Sequence, residues 1–432
     1  MRRALKFLAF SLGMLLFTFS LFGCEFETPE FETPVQTEEM PEQIAPPAPV
    51  VVKLLVSTPT EQLLRSIEAI EIETGIQTEL ITLPAGTWEI SFYKTSLATG
   101  DMPDIFSSNM GALSYALNPE ENLLDLSNEP FIAALPEKFR YDASINGRLY
   151  AIPSSSISFI GWAYNKRVYK QLGLKAPRTW DELMQNCQII QAAGGIPVIG
   201  SYKETTTAQF IFLADHYNVK AVMADFPRKF TEGQAKFATT PCALRSFEKM
   251  AEVKKYLNND CLDTTTQMAI EMLVSGQGAH CPMSSRQLTV LQELYPDEIS
   301  NIGFFGQPGE DSDNQGITYG LPLGLYVYKF SPNVELARRW LKQYLDINGN
   351  DVYQLYQPMD NSDIPSWVND VQAYFDNGKV SLLLEYESPL KGSTCAQICL
   401  ETLIGMTDAY SAAVSYDKDV EKQAIQLRLP GW

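Results

Sequence analysis

From residue 51 onward the chain alternates short apolar runs, suited to buried strands, with amphipathic stretches that carry helix start and stop signals. Residues 51–56 form the first apolar run. Thr58-Pro59-Thr60-Glu61 then reads as a helix start, with Thr58 as N-cap, Pro59 in the first helical position and Glu61 reaching back. Leu64, Ile67 and Ile72 continue that helix and Gly75 stops it. Thr179-Trp180-Asp181-Glu182 makes a second capping box, followed by Leu183, Cys187 and Ile190 at spacings of four and three on one face. Gly194-Gly195 ends the second helix, and residues 196–199 read as the next strand. Alternation of this kind calls for largely parallel sheets covered by helices, an α/β fold.

The N-terminus lies outside that pattern. Arg2, Arg3 and Lys6 precede an uncharged, mostly apolar run of 16 residues, 7–22, shorter than the roughly 20 a permanent membrane helix needs. Residues 1–23 therefore read as a signal peptide, and Leu21-Phe22-Gly23-Cys24 resembles the bacterial lipobox. The resemblance implies lipid on Cys24 and an extracytoplasmic protein anchored to the cell membrane. Residues 24–50 hold seven Glu and six Pro with no Lys or Arg, a composition that cannot bury a core and suits a solvated tether.

The remaining residues exceed one ordinary core and suit two domains. A formal charge of -19 disfavours nucleic acid as a partner. Beyond Cys24 there are six cysteines, Cys187, Cys242, Cys261, Cys281, Cys395 and Cys399, and only two histidines, His216 and His280. No CxxC or HExxH spacing occurs, and the adjacent pair His280-Cys281 is poorly placed to reach one ion, so neither metal nor cofactor is expected.

Ligands of open α/β sheets sit beyond the carboxyl ends of strands, and the corresponding loops here are rich in hydroxyls. Ser57 follows the first run, Ser107-Ser108-Asn109 follow Asp104-Ile105-Phe106, and Ser201-Tyr202 follow the strand at 196–199. Side chains that both donate and accept suit a neutral polyol such as a sugar, although the same residues also make ordinary turns and caps. Tyr202 can stack on a sugar or pack in the core. Glu385 and Glu387, two apart in a possible strand, would share a face and leave open a lipid-anchored glycoside hydrolase. A non-catalytic surface adhesin is a further alternative.

Thr99-Gly100-Asp101-Met102-Pro103-Asp104-Ile105-Phe106 and Leu123-Leu124-Asp125-Leu126 resemble the first-lobe signature of the sugar-binding proteins of bacterial ABC importers. Asn146-Gly147-Arg148-Leu149-Tyr150-Ala151-Ile152-Pro153, Tyr164-Asn165-Lys166 and Pro177-Arg178-Thr179-Trp180-Asp181-Glu182-Leu183 are similar to the next stretch of that family, in order and spacing. Ser331-Pro332-Asn333 resembles its late segment.

The resemblance implies a two-lobed periplasmic-binding-protein-like fold, with discontinuous lobes joined by hinge crossovers and a ligand closed between them. One lobe would hold residues 51–157 and 310–357, the other 158–309 and 358–432, with crossovers near 154–161, 305–316 and 356–365. The implied protein is a non-enzymatic monomer that captures a mono- or oligosaccharide and delivers it to the transmembrane subunits of an ABC permease. By position, the family places cleft residues at Ser107, Ser108, Asn109, Ser156, Tyr202, Ser284, Ser285, Tyr386 and Glu387. Where maltose-binding relatives offer tryptophans, this chain has Ser108 and Ser285-Arg286. Aromatic faces would then come from Tyr202, Tyr319, Trp367 or Tyr386, and Arg286 could favour a carboxylate or phosphate.

Overall fold

The first apolar run becomes strand β1 (Val50–Val56), whose Val52, Leu54, Leu55 and Val56 are buried. It lies between β2 (Ile76–Thr82) and β3 (Ile105–Asn109), parallel to both. The computed structural model describes residues 50–83, 89–352 and 366–432. The signal peptide, Cys24, the tether and the expected crossover at 356–365 lie outside them. The helix after β1 spans Glu61–Thr74, and its N-cap is Thr60 rather than Thr58. Thr60 Oγ1 accepts from the Leu63 amide at 3.1 Å, satisfying one of the amide groups a helix start leaves open, while Gly75 closes the other end at φ +71°.

Two strands from far along the chain complete this sheet. They are β4 (Ala151–Pro153) and β10 (Leu323–Val327), and β10 inserts antiparallel between β3 and β4. Asp104 ties the arrangement together. Its carboxylate accepts from the Lys53 amide (2.8 Å), Ser331 Oγ (2.5 Å) and Asn333 Nδ2 (3.2 Å), so the early and late signature motifs meet at one buried acid.

The second sheet is built around β5 (Ser158–Asn165). β7 (Gly278–Ser284) flanks it antiparallel, with β6 (Ile196–Val198) parallel beyond. The other edge of β5 pairs with β8 (Ile302–Phe305) and β9 (Ile317–Gly320), and β11 (Val380–Leu382) extends β9 in parallel. Two sheets with their own helices give the two-lobed α/β fold. The chain passes from the first sheet to the second between Pro153 and Ser158. It returns at Leu321-Pro322, later than the 305–316 that the resemblance implied, because residues 317–320 pair with β5 and β11. Ser154 Oγ donates to the Leu323 carbonyl (2.8 Å) and Tyr344 Oη to the Ser154 carbonyl (2.8 Å), so the two crossing segments are laced together.

Behind the second sheet, the helix Trp180–Ala192 starts at the expected capping box of Thr179 and Glu182 and buries Leu183, Cys187 and Ile190. The helix Phe210–Val222 carries Asp215 into a fully closed polar network. Lys249 Nζ lies 2.7 Å from Asp215 Oδ1, Ser246 Oγ 2.8 Å from Oδ2, and Asn218 and Gln307 donate to Oδ1. Burial alone would raise the Asp215 carboxyl, but the Lys249 ammonium and the hydrogen bonds outweigh it and hold the group below its ordinary value.

His280, on β7, is equally enclosed. Its Nδ1 faces the Pro197 carbonyl at 2.7 Å and its Nε2 the Tyr169 hydroxyl at 2.5 Å, which fits a neutral ring donating through Nδ1 and accepting at Nε2. Burial pulls this imidazole down from 6.5 to about 4. The six cysteines are free thiols, and burial pushes Cys187 and Cys281 up to about 12. Among the described residues no group of three or more His, Cys, Asp or Glu could hold a metal, and no helix is long and apolar enough to cross a membrane.

Candidate functional site

The segment joining β3 to β4 and the elements around β9 and β11 face one another across a cavity of about 930 Å³. From the first lobe come Tyr115 and the helix Glu137–Ala143, which presents Lys138, Arg140, Tyr141 and Asp142. The second lobe supplies Lys220 from the end of the helix Phe210–Val222, Tyr319 from β9, Ser381 from β11, and Tyr386 and Glu387 from the short helical turn Leu384–Glu387.

Two glycines let the walls approach. A Cβ on Gly111, at φ +63°, would stand 3.0 Å from the Tyr386 carbonyl, and one on Gly320 would stand 2.9 Å from the Tyr386 ring. Without side chains at these positions, Tyr386 spans from the first-lobe turn to β9.

The charges of the cavity are mostly matched. Tyr319 Oη donates to Asp142 Oδ2 at 2.5 Å, and Lys138 Nζ lies 3.2 Å from the same oxygen and 5.3 Å from the centre of the Tyr319 ring. This contact joins the two lobes. Burial pushes Asp142 above the ordinary carboxyl value, although the tyrosine hydroxyl and Lys138 pull the other way. Glu387 accepts from Lys220 Nζ (2.6 Å) and His216 Nε2 (3.2 Å). Burial works against this carboxylate too, but His216 and Lys220 outweigh it and hold it below the ordinary value. Burial also lowers His216, whose Nδ1 meets no partner among the described residues. Aromatic faces are plentiful: Tyr141 is 84% exposed and Tyr115 43%.

Of the residues singled out from sequence, Tyr319, Tyr386 and Glu387 meet in this cavity. The others fall elsewhere. Tyr202 is only 5% exposed and packs in the second-lobe core, where Gly200 makes room for its ring, so it offers no face to a sugar. Trp367 is buried against Phe159. Ser107 and Ser108 are buried within β3, Asn109 is half-buried at its end, and Ser57 and Ser156 are exposed. Ser284 starts the helix Ser285–Leu294 with Gln287, Ser285 Oγ accepts from the Phe159 amide at 3.3 Å, and Arg286 is exposed away from the cavity lining. Glu385 and Glu387 sit on a helical turn rather than a strand, each in its own ion pair, Glu385 with Lys391 and Glu387 with Lys220. The shared face that motivated a hydrolase is therefore absent.

Sequence reasoning missed Tyr115, Lys138, Arg140, Tyr141, Asp142, Lys220 and Ser381. Most come from short helices and turns without a periodic signal, while Lys220 ends the helix Phe210–Val222 and Ser381 sits in the three-residue strand β11. The one usable cue was Lys138, Tyr141 and Asp142 within five residues just before the Asn146-Gly147 turn.

The family described as bacterial extracellular solute-binding protein matches residues 58–346, more than half of the chain. The multiple sugar-binding protein of Streptococcus mutans is 22% identical over 282 residues, 60% of this chain and 64% of the relative, so the chain aligns with less than two thirds of that protein. Among solved structures, the binding protein MsmE of Bacillus subtilis, in an open conformation, superposes with a TM-score of 0.73 at 16% identity, over 89% of this chain and 100% of that one. RafE of Streptococcus pneumoniae in complex with raffinose gives 0.66 at 17%, over 87% and 100%. The span of the family match, on a fold of two sheets enclosing a cavity, shows that this chain belongs to the bacterial extracellular solute-binding proteins.

Proposed function

We propose that the protein captures an extracellular carbohydrate between its lobes and delivers it to the transmembrane subunits of an ABC importer. The observation that carries this reading is the interlobe cavity, where three tyrosines, Tyr115, Tyr141 and Tyr386, stand among hydroxyl, ammonium and carboxylate groups, and the buried Tyr319 holds Asp142 in the wall. Aromatic rings meet the CH faces of sugars while the polar groups bond their hydroxyls, a combination typical of ligand pockets. The names of the similar proteins, one a multiple sugar-binding protein and one solved with raffinose, support the same ligand class.

Calorimetric titration and thermal melting with raffinose and a panel of mono- and oligosaccharides test the proposal, because a ligand held only by the folded state raises the melting temperature. Tyr141→Ala should weaken binding at least about tenfold, about 1.4 kcal/mol, and leave the empty protein's melting temperature unchanged, since this ring is exposed. A panel in which no saccharide binds would remove carbohydrate as the ligand.

The anchor is proposed at Cys24, on the strength of the lipobox-like run and the Pro- and Glu-rich tether after it. Acyl chains on that residue would hold the protein at the membrane beside its permease. Cells expressing Cys24→Ala should incorporate no labelled fatty acid into the protein, and undiminished labelling would refute lipidation there.

A further inference from the structure

Resting on the carbohydrate reading, we infer that the ligand carries a carboxylate, as a uronic acid does, and that Arg140 receives it. Arg140 lines the interlobe cavity on the helix Glu137–Ala143. Its Nε is closed off from solvent, and no hydrogen bond or ion pair engages the guanidinium among the described residues. An arginine presents a planar fork of donors, and leaving it without an acceptor in a partly closed site is unfavourable unless a ligand supplies one.

The cavity's own carboxylates do not serve. Asp142 is committed to Tyr319 and Lys138, and Glu387 to Lys220 and His216. Glu137, one turn away, is exposed at the rim and forms no ion pair with Arg140. Among the described lining residues, once these pairs are closed, Arg140 is the cation left without a partner and Glu137 the acid, so the guanidinium has room for at most a single carboxylate, held bidentately. A phosphate, with its charge near two, would bring surplus negative charge toward Asp142, Glu387 and Glu137. Arg286, which the sequence offered for such a group, lies outside the lining.

The test titrates the full processed protein with digalacturonate, its neutral dimethyl ester, galactose 6-phosphate and raffinose. Digalacturonate should bind at least tenfold more tightly than its ester, and the phosphosugar more weakly than digalacturonate. Arg140→Gln should reduce the ratio of acid to ester affinity to about one while leaving the empty protein's melting temperature unchanged; Arg140→Lys should restore part of the ratio. If neutral sugars bind and the acid gains nothing, or if Arg140→Gln keeps the preference, the inference falls while carbohydrate binding stands. A preference for galactose 6-phosphate overturns the carboxylate assignment. If none of the four binds, the carbohydrate reading falls together with the inference.

Discussion

Lys249→Met should lower the free energy of unfolding by about 3–5 kcal/mol, a loss large enough to threaten folding at physiological temperature. Lys249 and Asp215 are 1% and 0% exposed, so removing the ammonium strands a carboxylate that water cannot reach. The remaining donors, Ser246, Asn218 and Gln307, solvate Asp215 but do not neutralise it. The methionine stem fills nearly the same volume, which keeps a cavity from confusing the result. Denaturant titration with an unchanged m value checks the loss, and a decrease under about 1 kcal/mol would show that the pair contributes little. Adding Asp215→Asn to the variant should recover part of the stability, because it removes the uncompensated charge. The damage should reach the site as well: the helix that buries Asp215 also carries His216 and Lys220 to Glu387 at the cavity wall.

Stability should also fall by about 3 kcal/mol between pH 6.5 and pH 4 on account of His280 alone. The folded imidazole is neutral and holds its proton only below about 4, whereas the unfolded ring titrates near 6.5. In that interval the unfolded chain binds a proton that the native state does not, so acid favours unfolding. The contribution is complete above pH 6.5, declines through the window and levels off below pH 4. His280→Gln removes the titration, and the difference between the pH profiles of wild type and variant isolates it from carboxyl groups that titrate nearby. Parallel profiles across this range would show that the buried ring does not resist protonation.

Local features of the fold were legible because local chemistry specifies them. The capping box at Thr179 and the glycine stop at Gly75 each depend on residues within a turn of one another. The cap of the first helix slipped by two residues because Thr58 and Thr60 carry the same chemistry on either side of Pro59, and only the path out of β1 decides between them. The role of Asp104 could not be read, since its partner Ser331 lies 227 residues away. Tyr202 illustrates a different limit. It follows a strand as a ligand contact would, yet Gly200 opens space on the core side and the Tyr202 amide is drawn to the Cys261 carbonyl at 2.8 Å, which turns the ring inward. Half of the cavity comes from the stretch between β3 and β4, where short turns carry no repeating pattern and only the assembled lobes bring Lys138, Arg140 and Asp142 opposite Tyr319 and Tyr386.

The insertion of β10 between β3 and β4 fixes an order of events for a chain synthesised from its N-terminus. β1, β2 and β3 can associate early, but β4 gains its only neighbour in the sheet among the described residues once residues 323–327 have arrived. Nothing synthesised before that point supplies the missing ladder, and the loop to be closed includes most of the second lobe. Contacts so distant along the chain are slow to form, because the entropy of closing the loop is lost before any pairing compensates. The first lobe therefore stays incomplete through most of synthesis, and becomes resistant to unfolding only after the second lobe's central strands have emerged.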